Sequence, residues 1–147
     1  MQVNHDYDVN IYRIKSYGKG EIEVVLPLKD IPAPSTENEE FGEQHKVLPI
    51  ETITNSAIVM PDKLIKDWPL ESVADLNKEH VQQLLDLKPE VVIIGTGEKL
   101  IWPNRALLAP LINANIGYEI MDSAAACRTY NILSHEGRDV AAALMMI

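Results

Sequence analysis

The sequence predicts an α/β fold, in which helices cover a largely parallel central sheet and an antiparallel β layer from the N-terminal third packs at one side. Two patterns predict it. The last two thirds alternate short apolar runs with segments of helical spacing, as in right-handed βαβ crossovers. The first third contains segments that alternate polar and apolar residues, which is typical of half-exposed strands. The length of 147 residues suits one hydrophobic core, so we expect a single domain over residues 1–147.

The strands of the antiparallel layer are predicted first along the chain. The segments Asn10–Tyr17 and 21–27 flank a turn at Gly18-Lys-Gly20, and the second of them alternates polar with apolar residues. This pattern predicts a β-hairpin. Two further strands are predicted at Val47–Ile53 and Ser56–Met60.

Two segments of the first third are expected to lack regular structure. Residues 29–46 combine prolines with acidic residues and offer little apolar area for burial, which predicts an exposed acidic insertion loop. Residues 1–9 are expected to form a flexible N-terminus. They contain neither the basic nor the apolar region of a signal peptide.

The later elements are predicted from caps and apolar runs. Asn77 is a candidate N-cap for a helix over Lys78–Leu87, and Pro103 suits the first turn of a helix that ends at Asn113. A cap at Asp122 or Ser123 precedes an alanine-rich helix over 124–134. Buried strands are expected at Val91–Ile94, Gly117–Met121 and Val140–Ile147.

Composition excludes several classes of function. The chain has 13 Lys and Arg against 22 Asp and Glu, a formal charge of −9, which opposes nucleic acid or an anionic membrane as the main partner. No apolar run approaches the length of a membrane span, and we expect a cytoplasmic protein. The single Cys127 excludes an intrachain disulfide framework, and the four His share no metal-ligand spacing. No metal and no cofactor are expected.

A candidate ligand site follows from two strand ends. Gly95, Thr96 and Gly97 come directly after one predicted strand, and Ser123 opens a helix after the next. Parallel sheets bind ligands beyond the carboxyl ends of their strands, and helix N-termini favour anions. Arg128 would add a bidentate contact to a carboxylate or phosphate. These five residues form a candidate small-anion site; the alternative is a tight turn followed by an ordinary helix cap.

Other polar residues have a structural and a functional interpretation. Glu119 and Arg138 both fall in segments expected to be buried, so they are a candidate buried ion pair, with Arg128 as an alternative partner for Glu119. The pair would either specify the fold or polarise a site. Cys127 is expected to pack as a small buried side chain, and no motif supports a catalytic residue.

Several motifs resemble one small family. The segments 88–97, 116–131 and 136–138 are similar to the Mth-type family that includes mitochondrial complex I assembly factor 3 and the adipogenesis-associated Mth domain-containing protein. The resemblance extends from about Tyr12 to the C-terminus, with Asp67-Trp68 among its earlier marks. It implies a three-layer α/β fold of the Mth type and no established enzymatic activity. The acidic insertion at 29–46 departs from the family pattern.

Two functions follow as hypotheses. The resemblance implies a non-enzymatic interaction or assembly-factor-like domain whose partner is another protein. The alternative is a small-anion or metabolite-binding protein, or an enzyme, that uses a pocket near Gly95–Gly97 and Ser123–Arg128.

Overall fold

A computed structural model describes residues 9–28 and 49–147. All but the last residue of the predicted flexible segment 1–9, and the whole of the predicted insertion loop 29–46, lie outside these ranges. The start of the predicted strand Val47–Ile53 lies outside them as well.

The first three strands form an antiparallel sheet. β1 (Arg13–Gly18) and β2 (Glu21–Val25) form the predicted hairpin, and β3 (Ile50–Ile53) pairs with the other side of β2. Gly20 has a φ of +82°, a left-handed conformation that the hairpin turn requires and that glycine adopts without steric cost. The order of this sheet is β1-β2-β3.

The central sheet has five strands in the order β5-β4-β8-β6-β7. Its strands are β4 (Ala57–Val59), β5 (Leu64–Ile65), β6 (Val91–Thr96), β7 (Gly117–Met121) and β8 (Val140–Met145). β6 is parallel to both β7 and β8, as predicted, whereas β4 is antiparallel to β8 and β5. The predicted strand Ser56–Met60 therefore belongs to the central sheet and not to the separate antiparallel layer.

The three α-helices of the described residues begin at polar caps. Asn77 accepts a hydrogen bond from the backbone of the third residue of α1 (Lys78–Asp86), and Asn104 accepts one from the second residue of α2 (Arg105–Asn113). Asp122, not Ser123, caps α3 (Ser123–His135), because its carboxylate accepts the Ala125 N–H at 2.8 Å. A cap side chain satisfies an amide that the first turn of the helix leaves unpaired.

The two faces of the central sheet carry separate cores, which makes three layers. α1 and α2 cover one face, and α3 together with the β1-β2-β3 sheet covers the other. Side chains of β8 alternate between them: Ala141 and Ala143 belong to the first core, Ala142 and Leu144 to the second. Such alternation explains why β6 and β8 are apolar at every position, since both faces are buried.

The predicted buried ion pair between Glu119 and Arg138 is wrong. β7 is an edge strand, and Glu119 on it is exposed. Arg138 lies before β8 begins, is also exposed, and donates from Nε to Glu90 Oε2 at 3.1 Å. The prediction of a buried strand at Gly117–Met121 is also wrong, because none of its five residues is buried at this edge of the sheet.

Two side chains of α3 attach the antiparallel sheet to the helix. Asn131 donates from Nδ2 to the Ile14 carbonyl at 2.8 Å and accepts the Ile14 N–H at 2.9 Å. The Tyr130 hydroxyl donates to the Tyr12 carbonyl at 2.7 Å. β1 is the outer strand of its sheet, and Asn131 pairs with the N–H and the carbonyl of Ile14 as a neighbouring strand would.

We expect Asn131→Ala to lower the free energy of unfolding by about 1–3 kcal/mol, because it leaves both backbone groups of the buried Ile14 unpaired. Ile132→Ala on the same helix is the control, since Ile132 is largely exposed and its loss should change stability by less than about 0.5 kcal/mol. Urea unfolding of the three proteins measures both. Equal stabilities would contradict the role assigned to Asn131.

Candidate functional site

The carboxyl ends of the parallel strands β6, β7 and β8 meet at one edge of the central sheet. Ligands of parallel α/β sheets bind beyond this edge. Four of the five predicted anion-site residues lie here: Gly95, Thr96 and Gly97 at the end of β6, and Ser123 at the start of α3.

Ser123 joins these chain segments through its hydroxyl group. The side chain is fully buried, donates from Oγ to the Met145 carbonyl of β8 at 2.5 Å, and accepts the Gly97 N–H at 2.8 Å. Its backbone N–H donates to the Gly97 carbonyl at 2.9 Å. The Ser123 hydroxyl is therefore engaged within the protein, as donor and as acceptor.

Gly95 permits a close approach between β6 and α3. A Cβ atom at Gly95 would lie 2.9 Å from Ser123 Oγ and 3.0 Å from both Ser123 Cα and Ala126 Cβ. Gly97 has a φ of +95°, the left-handed region that glycine favours. These glycines are thus required by packing and backbone conformation, as the alternative interpretation of the motif expects.

Thr96 organises the loop that follows β6. Its Oγ1 donates to the Lys99 carbonyl at 2.6 Å and accepts the Ile101 N–H at 3.1 Å. The Met121 carbonyl at the end of β7 lies 3.3 Å from the same oxygen. Thr96 is buried, and its hydroxyl group holds the loop against the ends of β6 and β7.

Arg128, the fifth predicted residue, points away from these strand ends and toward Tyr17 of β1. It is exposed on α3, donates from Nη1 to the Tyr17 hydroxyl at 2.7 Å, and places its guanidinium carbon 5.8 Å from the centre of the Tyr17 ring. This cation–π contact links α3 to β1. The structure thus gathers the other four predicted residues and leaves out the one cation, which supports the interpretation of a turn and a structural serine.

Cys127 lies in the core between α3 and the sheet. It is fully buried, and burial raises the pKa of its thiol to about 12, an effect that the neighbouring Arg128 only partly offsets. A thiol with this pKa stays protonated at neutral pH and is a poor nucleophile. The prediction of a buried packing role is confirmed.

A cleft of about 600 Å³ lies beside the carboxyl ends of the parallel strands, next to Met146 after β8. The sequence does not predict it. Acidic side chains are its main charged groups; Asn55 Nδ2 donates to one of them, Asp67 Oδ1, at 2.9 Å. Trp68 lines the cleft, and its indole N–H finds no hydrogen-bond partner among the residues described. The lining residues are Thr54, Asn55, Ser56, Asp67, Trp68, Pro69, Leu70, Glu71, Asp75 and Met146. From the sequence, Asp67-Trp68 is a mark of the resemblance to the Mth-type family and gives no sign of a cleft.

The loop held by Thr96 exposes three consecutive large apolar side chains. Leu100 is 49% exposed, Ile101 50% and Trp102 62%. We call these three residues the apolar loop, Leu100–Trp102. The signal that could have identified it is a tryptophan in a segment without helical or strand periodicity, where no core face is available to bury it.

The described residues contain neither a cluster of metal ligands nor a helix that could span a membrane. Across residues 9–28 and 49–147, no group of three or more His, Cys, Asp or Glu side chains is arranged to hold a metal ion. Within the same ranges, every helix is too short or too polar to cross a bilayer.

The family model described as "Protein of unknown function (DUF498/DUF598)" matches residues 39–145 of this chain, which is 107 of the 147 residues. A solution NMR structure from Bordetella pertussis, described as a Mth938-like domain, superposes with a TM-score of 0.69 at 25% identity and covers 99% of this chain and 92% of that one. The resemblance and the Mth-type fold predicted from the sequence are confirmed.

Two curated relatives match over shorter stretches. NADH dehydrogenase (ubiquinone) 1 alpha subcomplex assembly factor 3 of Mus musculus is 32% identical over 90 residues, covering 60% of this chain and 48% of that protein. The 13 kDa major membrane protein of Francisella tularensis is 34% identical over 71 residues, covering 48% of this chain and 58% of that protein. The chain therefore spans about half the length of the curated relatives it matches.

We expect Gly95→Ala to lower the free energy of unfolding by about 1–3 kcal/mol, because its Cβ would overlap the Ser123 backbone. Gly117→Ala on β7 is the matched control, since the nearest atom to its Cβ is 3.9 Å away. Urea unfolding compares the two variants. If they are equally stable, α3 does not need the close approach at Gly95.

We expect Cys127 in the folded protein to resist thiol reagents at pH 8, because its pKa of about 12 leaves almost no thiolate. In guanidinium chloride the thiol regains a pKa of about 8.5 and should react within minutes. The folded state holds the proton more tightly, so the contribution of Cys127 to stability is present below about pH 8.5 and declines as the pH rises toward 12. Absorbance after addition of an aromatic disulfide reagent measures the labelling; rapid reaction of the native protein would contradict the assignment.

Proposed function

The chain belongs to the DUF498/DUF598 family of proteins of unknown function, and from that premise we propose that it is a non-enzymatic, assembly-factor-like domain that acts by binding another protein. The similarity to NADH dehydrogenase assembly factor 3 supports this type of function. Subunits of NADH dehydrogenase are accordingly the first partners to look for, although the matched region is about half of that relative.

The observation that carries the proposal is the apolar loop Leu100–Trp102. A few side chains supply most of the binding energy at protein interfaces, and tryptophan is enriched among them. Thr96 Oγ1 donates to the Lys99 carbonyl and accepts the Ile101 N–H, and these two bonds restrain the backbone of the loop, which lowers the conformational entropy lost when a partner binds. Other exposed apolar side chains, such as Ile112 and Ile132, stand apart in the sequence, whereas Leu100–Trp102 are three in a row, as expected of a binding surface.

The alternative of an anion-binding protein or enzyme has less support. The hydroxyl groups of Thr96 and Ser123 are engaged by backbone groups, and Arg128 contacts Tyr17. The neighbouring cleft carries Asp67, Glu71 and Asp75, whose charges would repel an anion. The sequence-based expectation of a cytoplasmic location is part of the proposal; cell fractionation decides between it and the membrane association named for the Francisella relative.

We expect the double variant Leu100→Ser/Trp102→Ser to lose its protein partner while its melting temperature stays within a few degrees of that of the original chain, because both side chains are exposed. The measurement is affinity capture of the tagged chain from native cells, with quantitative mass spectrometry of the proteins retained. Ile132→Ser is the control for exposed apolar surface, since Ile132 is 59% exposed on another layer.

A partner retained in stoichiometric amount by the original chain and by Ile132→Ser, and lost by the double variant, is the expected result. Recovery of the same proteins by all three chains would show that the apolar loop does not bind. Recovery of no partner by the original chain would overturn the proposed function.

A further inference from the structure

β7 presents an open edge of the central sheet. It is the outermost strand, and β6 is its only partner within the described part of the chain. The Gly117 N–H donates to the Glu90 carbonyl on the β6 side at 3.3 Å. Because backbone groups alternate sides along a strand, those of Glu119 and Met121 also point to β6, and those of Tyr118 and Ile120 point outward. Among residues 9–28 and 49–147, no backbone group pairs with these outward ones.

The length of this edge suits the addition of a strand. β7 has five residues and extends about 17 Å, whereas β5 at the opposite edge has two. Unpaired N–H and C=O groups along an edge are the template on which an extended segment of another chain forms a new strand.

The apolar loop Leu100–Trp102 extends the same surface. Thr96 Oγ1 contacts the carbonyl oxygens of both Lys99 and Met121, so these two oxygens lie within about 6 Å of each other. The loop therefore begins beside the carboxyl end of β7. A segment of a partner paired with β7 would continue onto these exposed apolar side chains. The main-chain hydrogen bonds would then supply affinity, and the side-chain contacts would supply specificity.

The charge on the edge selects the kind of partner. Glu119 is exposed at the centre of β7. In the symmetric antiparallel pairing of two copies that is centred on residue 119 and uses the outward groups of both Tyr118 and Ile120, Tyr118 opposes Ile120 of the second copy. The two Glu119 carboxylates then face each other, which is destabilising. A Lys or Arg opposite Glu119 is favourable instead, and the net charge of −9 attracts a basic segment over longer distances.

We propose that the edge of β7 binds an extended segment of a different protein, which joins the central sheet as a sixth strand. A Lys or Arg of that segment lies beside Glu119, and its apolar side chains contact Leu100–Trp102. This inference rests on the proposed function and names the surface and the chemistry of the partner.

The test uses the full chain and the partner recovered by affinity capture. Glu119→Lys should weaken capture on the order of tenfold, because it opposes the cation of the partner. Glu136→Lys, the same charge change at an exposed position at the end of α3, should leave capture unchanged. Hydrogen exchange followed by NMR gives the second readout: the amides of Tyr118 and Ile120 should exchange on the order of 100-fold more slowly in the complex than in the free chain.

The outcomes separate this inference from the proposed function. If the original chain captures a partner, but Glu119→Lys binds it equally well and the two amides stay unprotected, the edge-binding inference is wrong and the proposed function stands. If the amides become protected in a concentration-dependent dimer of this chain, the occupant is a second copy and the inference is also wrong. Recovery of no partner overturns both.

Discussion

The close contact between α3 and the central sheet is the constraint on which the other layers depend. Gly95 has no Cβ, and this absence lets Ser123 enter the sheet edge and join the backbone of the segment after β6 to that of β8. The small side chain of Ala126 continues the close packing, and Tyr130 and Asn131 on the same helix then hold the antiparallel sheet in place. A helix displaced outward at Gly95 would lose these contacts together.

The position of α3 on the central sheet also decides which strand remains exposed to solvent. α3 packs on β6, β8 and β1, so β7 lies at the margin of the layer and keeps Glu119 exposed. Thr96, which precedes Gly97, holds the apolar loop beside that margin. The glycines of the segment Gly95–Gly97 suggested a ligand site, but the contacts of this segment are structural. It holds α3 through Ser123 and the apolar loop through Thr96.

Charge and shape at this end of the molecule favour one kind of partner. The cleft beside the carboxyl edge is acidic, the centre of β7 carries a carboxylate, and the chain as a whole has a net charge of −9. Because acidic surfaces attract basic segments and repel anions, electrostatics agrees with protein binding better than with the small-anion site first considered. In the proposed interaction, the apolar side chains of the loop would supply the contact area that charge alone does not.

The sequence by itself determined the elements whose information is local. The cap at Asn77, the alternation in β2 and the β-branched run of β6 each depend on neighbouring residues, and the motifs of the C-terminal half identified the Mth-type fold. Only the tertiary structure decided which distant segments are partners. Arg138 pairs with Glu90 and not with Glu119, and Arg128 contacts Tyr17. Residues 57–59 join the central sheet. The physical reason is that a strand becomes an edge or a centre through pairing across the whole chain, and that pairing decides which polar groups are buried, paired or left open.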